Sequence, residues 1–260
     1  MARLQASPDG LIRMYRRGIV VREVAEALLS LDIGSNVDLV RSFCDSHKFD
    51  VVGVSKEGRL MGYVDANRLA PGPLIKSIQR IKTSQILSDD TPIAELFEAL
   101  SAQERIFVKS LGATGGIVTR ADLQKIPIRM WLFGMISLLE MQLLRILKKY
   151  FPGDNWRPHL SSGRIGQATK FYNFNKARNQ EASLVDYIGL SDKYLVVTSR
   201  TDLARRLGLS DPKQNKALFK VLYGMRNDLA HANKLSIADW QRLAQTISKL
   251  LDVLAKASSI

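Results

Sequence analysis

The residues best suited to chemistry lie near the carboxyl end of the sequence, in Arg226-Asn227-Asp228-Leu229-Ala230-His231. His231 can exchange a proton near neutral pH and could act as a general base or acid. Arg226 is permanently charged and could hold a phosphate through two hydrogen bonds while negative charge develops in a transition state. The amide of Asn227 could orient that phosphate or the imidazole. Together these side chains suit a substrate that contains phosphate.

A helix from Pro212 to about Asn233 is predicted to position these groups. Tyr223, Asn227 and His231 recur at steps of four residues with Arg226 beside them, so a continuous helix presents them on one face. In the alternative interpretation, Arg226 pairs with Asp228 or another acid, and His231 caps the carboxyl end of the helix. Apolar residues at steps of four, three and four predict the buried face of the same helix, namely Leu218, Leu222, Met225 and Leu229.

The R-N-x-x-x-H pattern resembles the motif of HEPN domains, which are small helical bundles, and the resemblance covers roughly residues 127–260. It implies metal-independent cleavage of RNA by attack of a 2′-hydroxyl on the adjacent phosphate. It also implies a homodimer, because two protomers complete the active centre in that family. Arg226, Asn227 and His231 would be the catalytic residues, single-stranded RNA the substrate, and no cofactor would be required.

The composition of residues 127–260 agrees with an all-α domain that binds a polyanion. This half carries 21 Lys+Arg against 10 Asp+Glu, whereas residues 1–126 carry 17 against 15. Such an excess favours nucleic acid, with an anionic membrane surface or simple solubility as alternatives. The three histidines have no helical ligand spacing, so no metal site is expected. Helical periodicity predicts a bundle with helices at about 128–150, 181–188, 201–207, 212–233 and 237–257.

One further segment bears on nucleic acid. Lys170 to Arg178 interleaves aromatic and basic residues, as a surface that stacks single-stranded bases would, although the aromatic residues could equally belong to the core. We favour core for Phe171, Tyr172 and Phe174. Candidate nucleic-acid contacts are Tyr223, Lys170, Lys176 and Arg178.

Two other functions remain open for this half. Residues 201–220 resemble a helix-turn-helix with Gly208 at the turn, which would make the protein a nucleotide-responsive DNA-binding regulator. Its base readers would be Lys213, Gln214, Asn215 and Lys216, although the helix also has core-facing residues. The third interpretation is a non-catalytic sensor or adaptor.

The first half contains an internal repeat with an offset of 54 residues. The segment 49–54 aligns with 103–108, and 62–69 aligns with 116–123. Each copy predicts a helix, a strand, a turn, a strand and a short helix. Gly58 and Gly112 occupy the turns, where positive φ favours glycine.

This α/β layout resembles a tandem CBS pair, a Bateman-type module, with repeats at about 36–69 and 91–125 within a domain of residues 1–126. The second copy contains Gly116-Ile-Val-Thr-Arg-Ala-Asp122, similar to the G-h-h-T-x-x-D element of that family. The resemblance implies an adenine nucleotide (AMP, ADP or ATP) as regulatory ligand, with Thr119 and Asp122 holding the ribose. Gly116 and Arg120 complete the candidate nucleotide-binding set. The first copy departs from the pattern, since Asp65 and Arg68 stand at the corresponding positions.

The longest apolar stretch, residues 126–147, is interrupted by charges and has no clean run long enough to span a bilayer. A core helix and a dimerisation helix are equally compatible with it. With one cysteine and no apolar signal segment near Met1, we expect a cytoplasmic protein with no membrane partner.

Overall fold

The structure, a computed structural model, describes residues 8–176, 182–235, 237 and 239–260. The chain divides into two compact units. The repeat unit comprises residues 19–125, and the helical unit combines helix α1 (Pro8–Gly18) with residues 126–260. Helix α1 therefore packs with the helical unit, whereas the sequence analysis assigns it to the nucleotide-sensing domain. Hydrogen bonding and burial explain the difference: the buried Trp131 indole donates to the carbonyl oxygen of Tyr15 at 2.7 Å, and Ile12 is buried.

The repeat unit contains two small sheets of matching topology. In each copy a short strand pairs in parallel with the first strand of a hairpin, and a helix connects them. One sheet has the order β2-β3-β4, and the other has the order β1-β7-β6-β5. The elements are β1 (Glu26–Ala27), β2 (Ser30–Asp32), α2 (Val37–His47), β3 (Val51–Lys56), β4 (Arg59–Asp65), β5 (Ile86–Ser88), α3 (Ile93–Ala102), β6 (Arg105–Ser110) and β7 (Ala113–Thr119).

The strand registers confirm the 54-residue offset of the repeat. Pairing shifts between Val54 and Ser55 in the first hairpin and between Val108 and Lys109 in the second, which are equivalent positions. Both hairpins turn through two residues of positive φ, Glu57-Gly58 and Leu111-Gly112. Turns of this kind match the twist of the flanking strands.

The helical unit is built around α4 (Ile126–Tyr150), which contacts four other helices. Its buried residues recur at three- and four-residue steps and include Trp131, Leu139 and Leu143. Burying that face removes a large apolar area from water, which stabilises the bundle. The remaining helices are α5 (Ser162–Lys176), α6 (Leu190–Thr198), α7 (Thr201–Arg206), α8 (Pro212–Ala230) and α9 (Trp240–Ser258).

The helices differ from the sequence-based ones in several places. The predicted helix at 181–188 is a single 3₁₀ turn at Leu184–Tyr187, and Glu181 lies outside the described residues. Helices α5 and α6 were not predicted; the sequence indicated a connection after the first helix, marked by Pro152, Gly153, Pro158 and Gly163. Helix α8 ends at Ala230, three residues before the predicted end.

Among the described residues, α4 is the one helix whose length and composition would allow it to cross a membrane. Of its most apolar 18-residue stretch, 61% is buried inside the structure. Its packing against α1, α6, α8 and α9 is that of a core helix.

Candidate functional site

Helix α8 begins at a strong amino-terminal cap and is held by its buried face. The Asp211 carboxylate accepts hydrogen bonds from the backbone N–H groups of Lys213 and Gln214 at 2.8 and 3.1 Å, and Pro212 occupies the first turn. On the buried face, the Phe219 ring stacks on Tyr194 with 4.0 Å between centroids. The opposite face is left open to solvent.

The carboxyl end of α8, which carries the motif, is fixed by a residue of α4. His231 is the capping residue, and Ala232 follows with φ 56°, so that the Asn233 N–H returns to the Asp228 carbonyl oxygen at 2.8 Å. The Arg129 guanidinium donates to the Asn233 carbonyl oxygen at 2.7 Å and reaches that of Asp228 at 3.5 Å. A cation is favoured at this end of a helix. In the sequence Arg129 was visible only as a charge that interrupts an apolar stretch.

A cleft of about 870 Å³ opens beside the motif. Tyr223, Arg226 and Asn227 line it from α8. His231 is exposed one turn beyond them, but it is absent from the described residues that line this cleft. The structure thus brings three of the predicted residues to one cleft and leaves the imidazole at its end of the helix. The other walls come from α4, α5, the 3₁₀ turn Leu184–Tyr187 and the start of α6, namely Glu140, Arg164, Gln167, Ala168, Phe171, Tyr187, Gly189, Leu190, Ser191 and Asp192.

Ion pairs neutralise the acidic groups around this cleft. Asp192 pairs with Arg164, and the Lys193 ammonium lies 2.7 Å from the Glu140 carboxylate. Arg226 is exposed, and within the part of the chain that the structure describes it forms no ion pair with Asp228 or any other acid. The positive charge of Arg226 is therefore open to a ligand.

Two of the three aromatic residues of α5 lie outside the core, which corrects the interpretation favoured from the sequence. Phe171 is 63% exposed and Phe174 is 70% exposed. Tyr172 is half-buried and packs edge-on to Tyr187 with 5.8 Å between centroids, and the Lys176 ammonium lies 5.6 Å from its ring centre. The periodicity of α5 does not collect its apolar residues on one face, and Ala168 is its buried residue.

Three predicted nucleic-acid contacts remain, namely Lys170, Lys176 and Arg178. Lys170 and Lys176 are exposed on α5. Arg178 lies outside the described residues. The two lysines extend the basic surface beyond the cleft.

Comparisons with known proteins add little beyond the coordinates. No family model and no curated protein matches the sequence. The chain is similar to an uncharacterized conserved protein from Pyrococcus horikoshii, at 15% identity over 41% of this chain and 90% of that one, with a TM-score of 0.37. It is also similar to a CBS domain protein of unknown function from Thermoplasma acidophilum, at 17% identity over 45% and 75%, with a TM-score of 0.36. The CBS domain of a bacterial CNNM/CorC family Mg²⁺ transporter, solved in complex with ATP, is 14% identical over 47% and 94%, with a TM-score of 0.37. Because these scores are low, the fold assignment rests on the register and packing within this chain.

The predicted nucleotide-binding residues are engaged in local hydrogen bonds. The Thr119 N–H and hydroxyl donate to Asp122 Oδ2 at 2.6 and 2.9 Å, which forms a capping box for the 3₁₀ helix Arg120–Gln124. Lys125 Nζ lies 2.7 Å from the other Asp122 oxygen and 2.8 Å from Glu26. Burial lowers the pKa of Lys125, but the hydrogen bonds to Asp122 and Glu26 outweigh it and raise the pKa overall. A ribose here would have to share Asp122 with these partners.

Gly116 and Arg120 also have structural partners. Gly116 pairs with Ala27 and Val108, and a Cβ on it would lie 3.0 Å from the Val108 Cβ. The Arg120 guanidinium donates to the Leu100 carbonyl oxygen at 3.0 Å. Thr119 and Asp122 are therefore brought together as predicted, while Gly116 and Arg120 hold neighbouring strands and helix in place.

A cleft of about 200 Å³ lies at the corresponding position of the first copy. The Arg105 guanidinium donates through both terminal nitrogens to the buried Asp65 carboxylate at 3.0 Å, and its centre lies 5.7 Å from the Tyr63 ring. Arg68 lines the cleft and is exposed. An internal ion pair thus occupies the place where the sequence departs from the family pattern.

A close backbone contact at Gly62, with Gln79 of the same cleft, yields a test of the fold. A Cβ on Gly62 would overlap the Gln79 carbonyl oxygen and lie 2.9 Å from the Ile78 side chain. We expect Gly62→Ala to lower the free energy of unfolding by about 1–3 kcal/mol, because the backbone must move. Gly115→Ala is the matched control, since no atom lies within 4 Å of its Cβ. Urea unfolding measures both variants, and equal stability would contradict the close contact.

The helix-turn-helix alternative is met only in part. Helix α7, a turn with Gly208 at φ 69°, and α8 follow one another as expected. However, Asn215 is buried and donates to the Leu209 carbonyl oxygen at 2.7 Å, so it is not free to read a base. Among the described residues no cluster of His, Cys, Asp and Glu could hold a metal ion.

Proposed function

We propose that this protein is an adenine-nucleotide-regulated, metal-independent endoribonuclease. In this proposal the repeat unit is a CBS-type sensor, and the helical unit is a HEPN-type domain that acts on single-stranded RNA as a homodimer. The observation that carries it is the cleft of about 870 Å³ that Arg226 and Asn227 line, with Arg226 exposed and in no ion pair with any acid that the structure describes. An exposed guanidinium in a cleft next to aromatic rings suits a phosphate with a base attached.

The reaction would use groups of the chain and of the RNA alone. The 2′-hydroxyl oxygen attacks the adjacent phosphorus, the bond to the 5′-oxygen breaks, and a 2′,3′-cyclic phosphate remains. His231 would take the proton from the hydroxyl or deliver one to the leaving oxygen. Arg226 would stabilise the extra charge on the phosphate, and Asn227 would orient it. Because His231 lies beyond the cleft of its own chain, a second copy would complete the centre.

The test is cleavage of single-stranded RNA in the presence of EDTA. We expect a product that ends in a 2′,3′-cyclic phosphate, identified by mass spectrometry. The same sequence with 2′-O-methyl riboses must stay intact, because it lacks the attacking hydroxyl. Absence of cleavage together with salt-sensitive retention of duplex DNA would favour the DNA-binding regulator and contradict the nuclease.

For the repeat unit we propose that an adenine nucleotide binds at Thr119 and Asp122. The support is that the hydroxyl and carboxylate meet where strand β7 ends, within hydrogen-bonding distance of one another. Binding there would compete with the Lys125 contact and so offers a way to alter this turn, which directly precedes α4.

Calorimetry with AMP, ADP and ATP tests whether a nucleotide binds at Thr119 and Asp122 or in the cleft of the first copy. We expect Thr119→Val to weaken nucleotide binding about tenfold, because the hydrogen bond between its hydroxyl and the ribose is lost. Arg68→Ala should leave it unchanged. The opposite pattern would assign the ligand to the first cleft, and no heat with any nucleotide would contradict a sensing role.

A further inference from the structure

Two aromatic rings are exposed to solvent at the cleft of the helical unit. Phe171, on α5, is 63% exposed and Tyr223, on α8, is 49% exposed, and both line the same cleft as Arg226. Single exposed apolar residues are common, but two exposed rings that line one cleft form an apolar surface of the kind found at binding sites. This surface suits a ligand with a flat apolar face.

The charges around these rings indicate which ligand. The acids of the cleft, Glu140 and Asp192, are each paired with a cation, so Arg226 gives the cleft a net positive charge. Lys170 continues the positive surface along α5. A polyanion would complement this positive charge.

We propose that Phe171 and Tyr223 form a platform on which successive bases of single-stranded RNA stack, with the intervening phosphate at Arg226. Bases in a duplex are stacked on one another and cannot lie on a side chain, so the platform selects unpaired strands. The inference rests on the proposed function for what happens to the RNA, but the binding itself does not require cleavage. Stacking tolerates any sequence, because every base has a π-face.

The experiment measures binding without chemistry. A fluorescein-labelled 12-nucleotide RNA of mixed sequence, with 2′-O-methyl riboses throughout, is titrated with the full chain and followed by fluorescence anisotropy. We expect Phe171→Leu and Tyr223→Leu each to weaken binding about fivefold or more, since leucine keeps apolar bulk but has no π-face. Phe133→Leu is the matched control, because Phe133 is 40% exposed on α4 and does not line this cleft.

An oligonucleotide with abasic sites gives a second measurement. The wild type should bind this abasic oligonucleotide about as weakly as Phe171→Leu binds the intact one. Replacing the intact oligonucleotide by the abasic one should lower the affinity of Phe171→Leu only slightly. Equal affinities of Phe171→Leu and Phe133→Leu for the intact strand would overturn the platform. So would a change of oligomeric state in Phe171→Leu without a change in RNA affinity, because it would make this surface a protein interface.

The platform and the nuclease can fail separately. Phe171-dependent binding of the uncleavable RNA, in a protein that never cuts normal RNA, would support the platform and refute the proposed activity. Cleavage of normal RNA that Phe171→Leu and Tyr223→Leu leave unchanged, with unchanged affinity, would overturn the platform alone.

Discussion

His231→Ala is expected to lower the rate of RNA cleavage by about 100-fold to 10,000-fold, the usual range for loss of a general acid or base. The imidazole is exposed at the carboxyl end of α8, where a ligand or a second copy can reach it. The rate is measured under single-turnover conditions with EDTA, so that binding and product release do not mask the chemical step. Added imidazole should restore part of the activity of His231→Ala.

Arg226→Ala should reduce the same rate by about 100-fold or more, because it removes the charge that stabilises the transition state. Arg226→Lys should rescue little of it, since an ammonium cannot make the paired hydrogen bonds of a guanidinium. Arg205→Ala is the matched control, as Arg205 is an exposed arginine on α7 that does not line the cleft. Cleavage that persists in both the His231 and Arg226 variants would exclude this motif as the catalytic centre.

The helix that carries the motif could be predicted because its signal is local. Steps of three and four residues predicted the buried face of α8, and Leu218 and Leu222 are buried in the structure, whereas Met225 and Leu229 are half-buried. The cap at Asp211 and Pro212 also marks its start. Its end was placed too late, because Ala232 adopts positive φ, a conformation that its residue type does not suggest.

The walls of the cleft could not be predicted, because they arise from packing between distant segments. Helix α5 contains Gly163 and Gly166, which lower its helix propensity, and its apolar residues do not follow an amphipathic period. The exposure of Phe171 follows from how α5 lies against its neighbours. Likewise, the role of Arg129 depends on a contact between residues about a hundred positions apart in the chain.

In the repeat unit, too, some features could be predicted from the sequence and others could not. The 54-residue offset was visible from alternating apolar residues and turn glycines, and it extends to the register shift of both hairpins. The Asp65–Arg105 ion pair was not visible, because the two residues belong to different copies and meet only after folding. The two copies thus share the order of their elements but differ in chemistry at equivalent positions.

A buried ion pair at the cleft is expected to contribute strongly to stability. The Lys193 side chain is 5% exposed and its ammonium lies 2.7 Å from Glu140, which joins α6 to α4. Glu140→Ala removes the only acidic partner in an ion pair with Lys193 among the described residues, and leaves a buried charge uncompensated. We expect a loss of about 3 kcal/mol in the free energy of unfolding, measured by urea denaturation.

The expected loss of stability in Glu140→Ala comes from the isolated Lys193 charge rather than from the missing attraction. Glu140→Leu combined with Lys193→Met should recover most of the stability, because an apolar pair of similar size avoids the cost of burying charge. Asp252→Ala breaks a pair with Lys256 whose side chains are about two-fifths exposed, and it should change stability by less than about 1 kcal/mol. If Glu140→Ala were as mild as Asp252→Ala, the Lys193 ammonium would have to reach water. The wall of the cleft formed by the start of α6 would then be looser than its packing against α4 indicates, and Arg226 would face a less fixed surface.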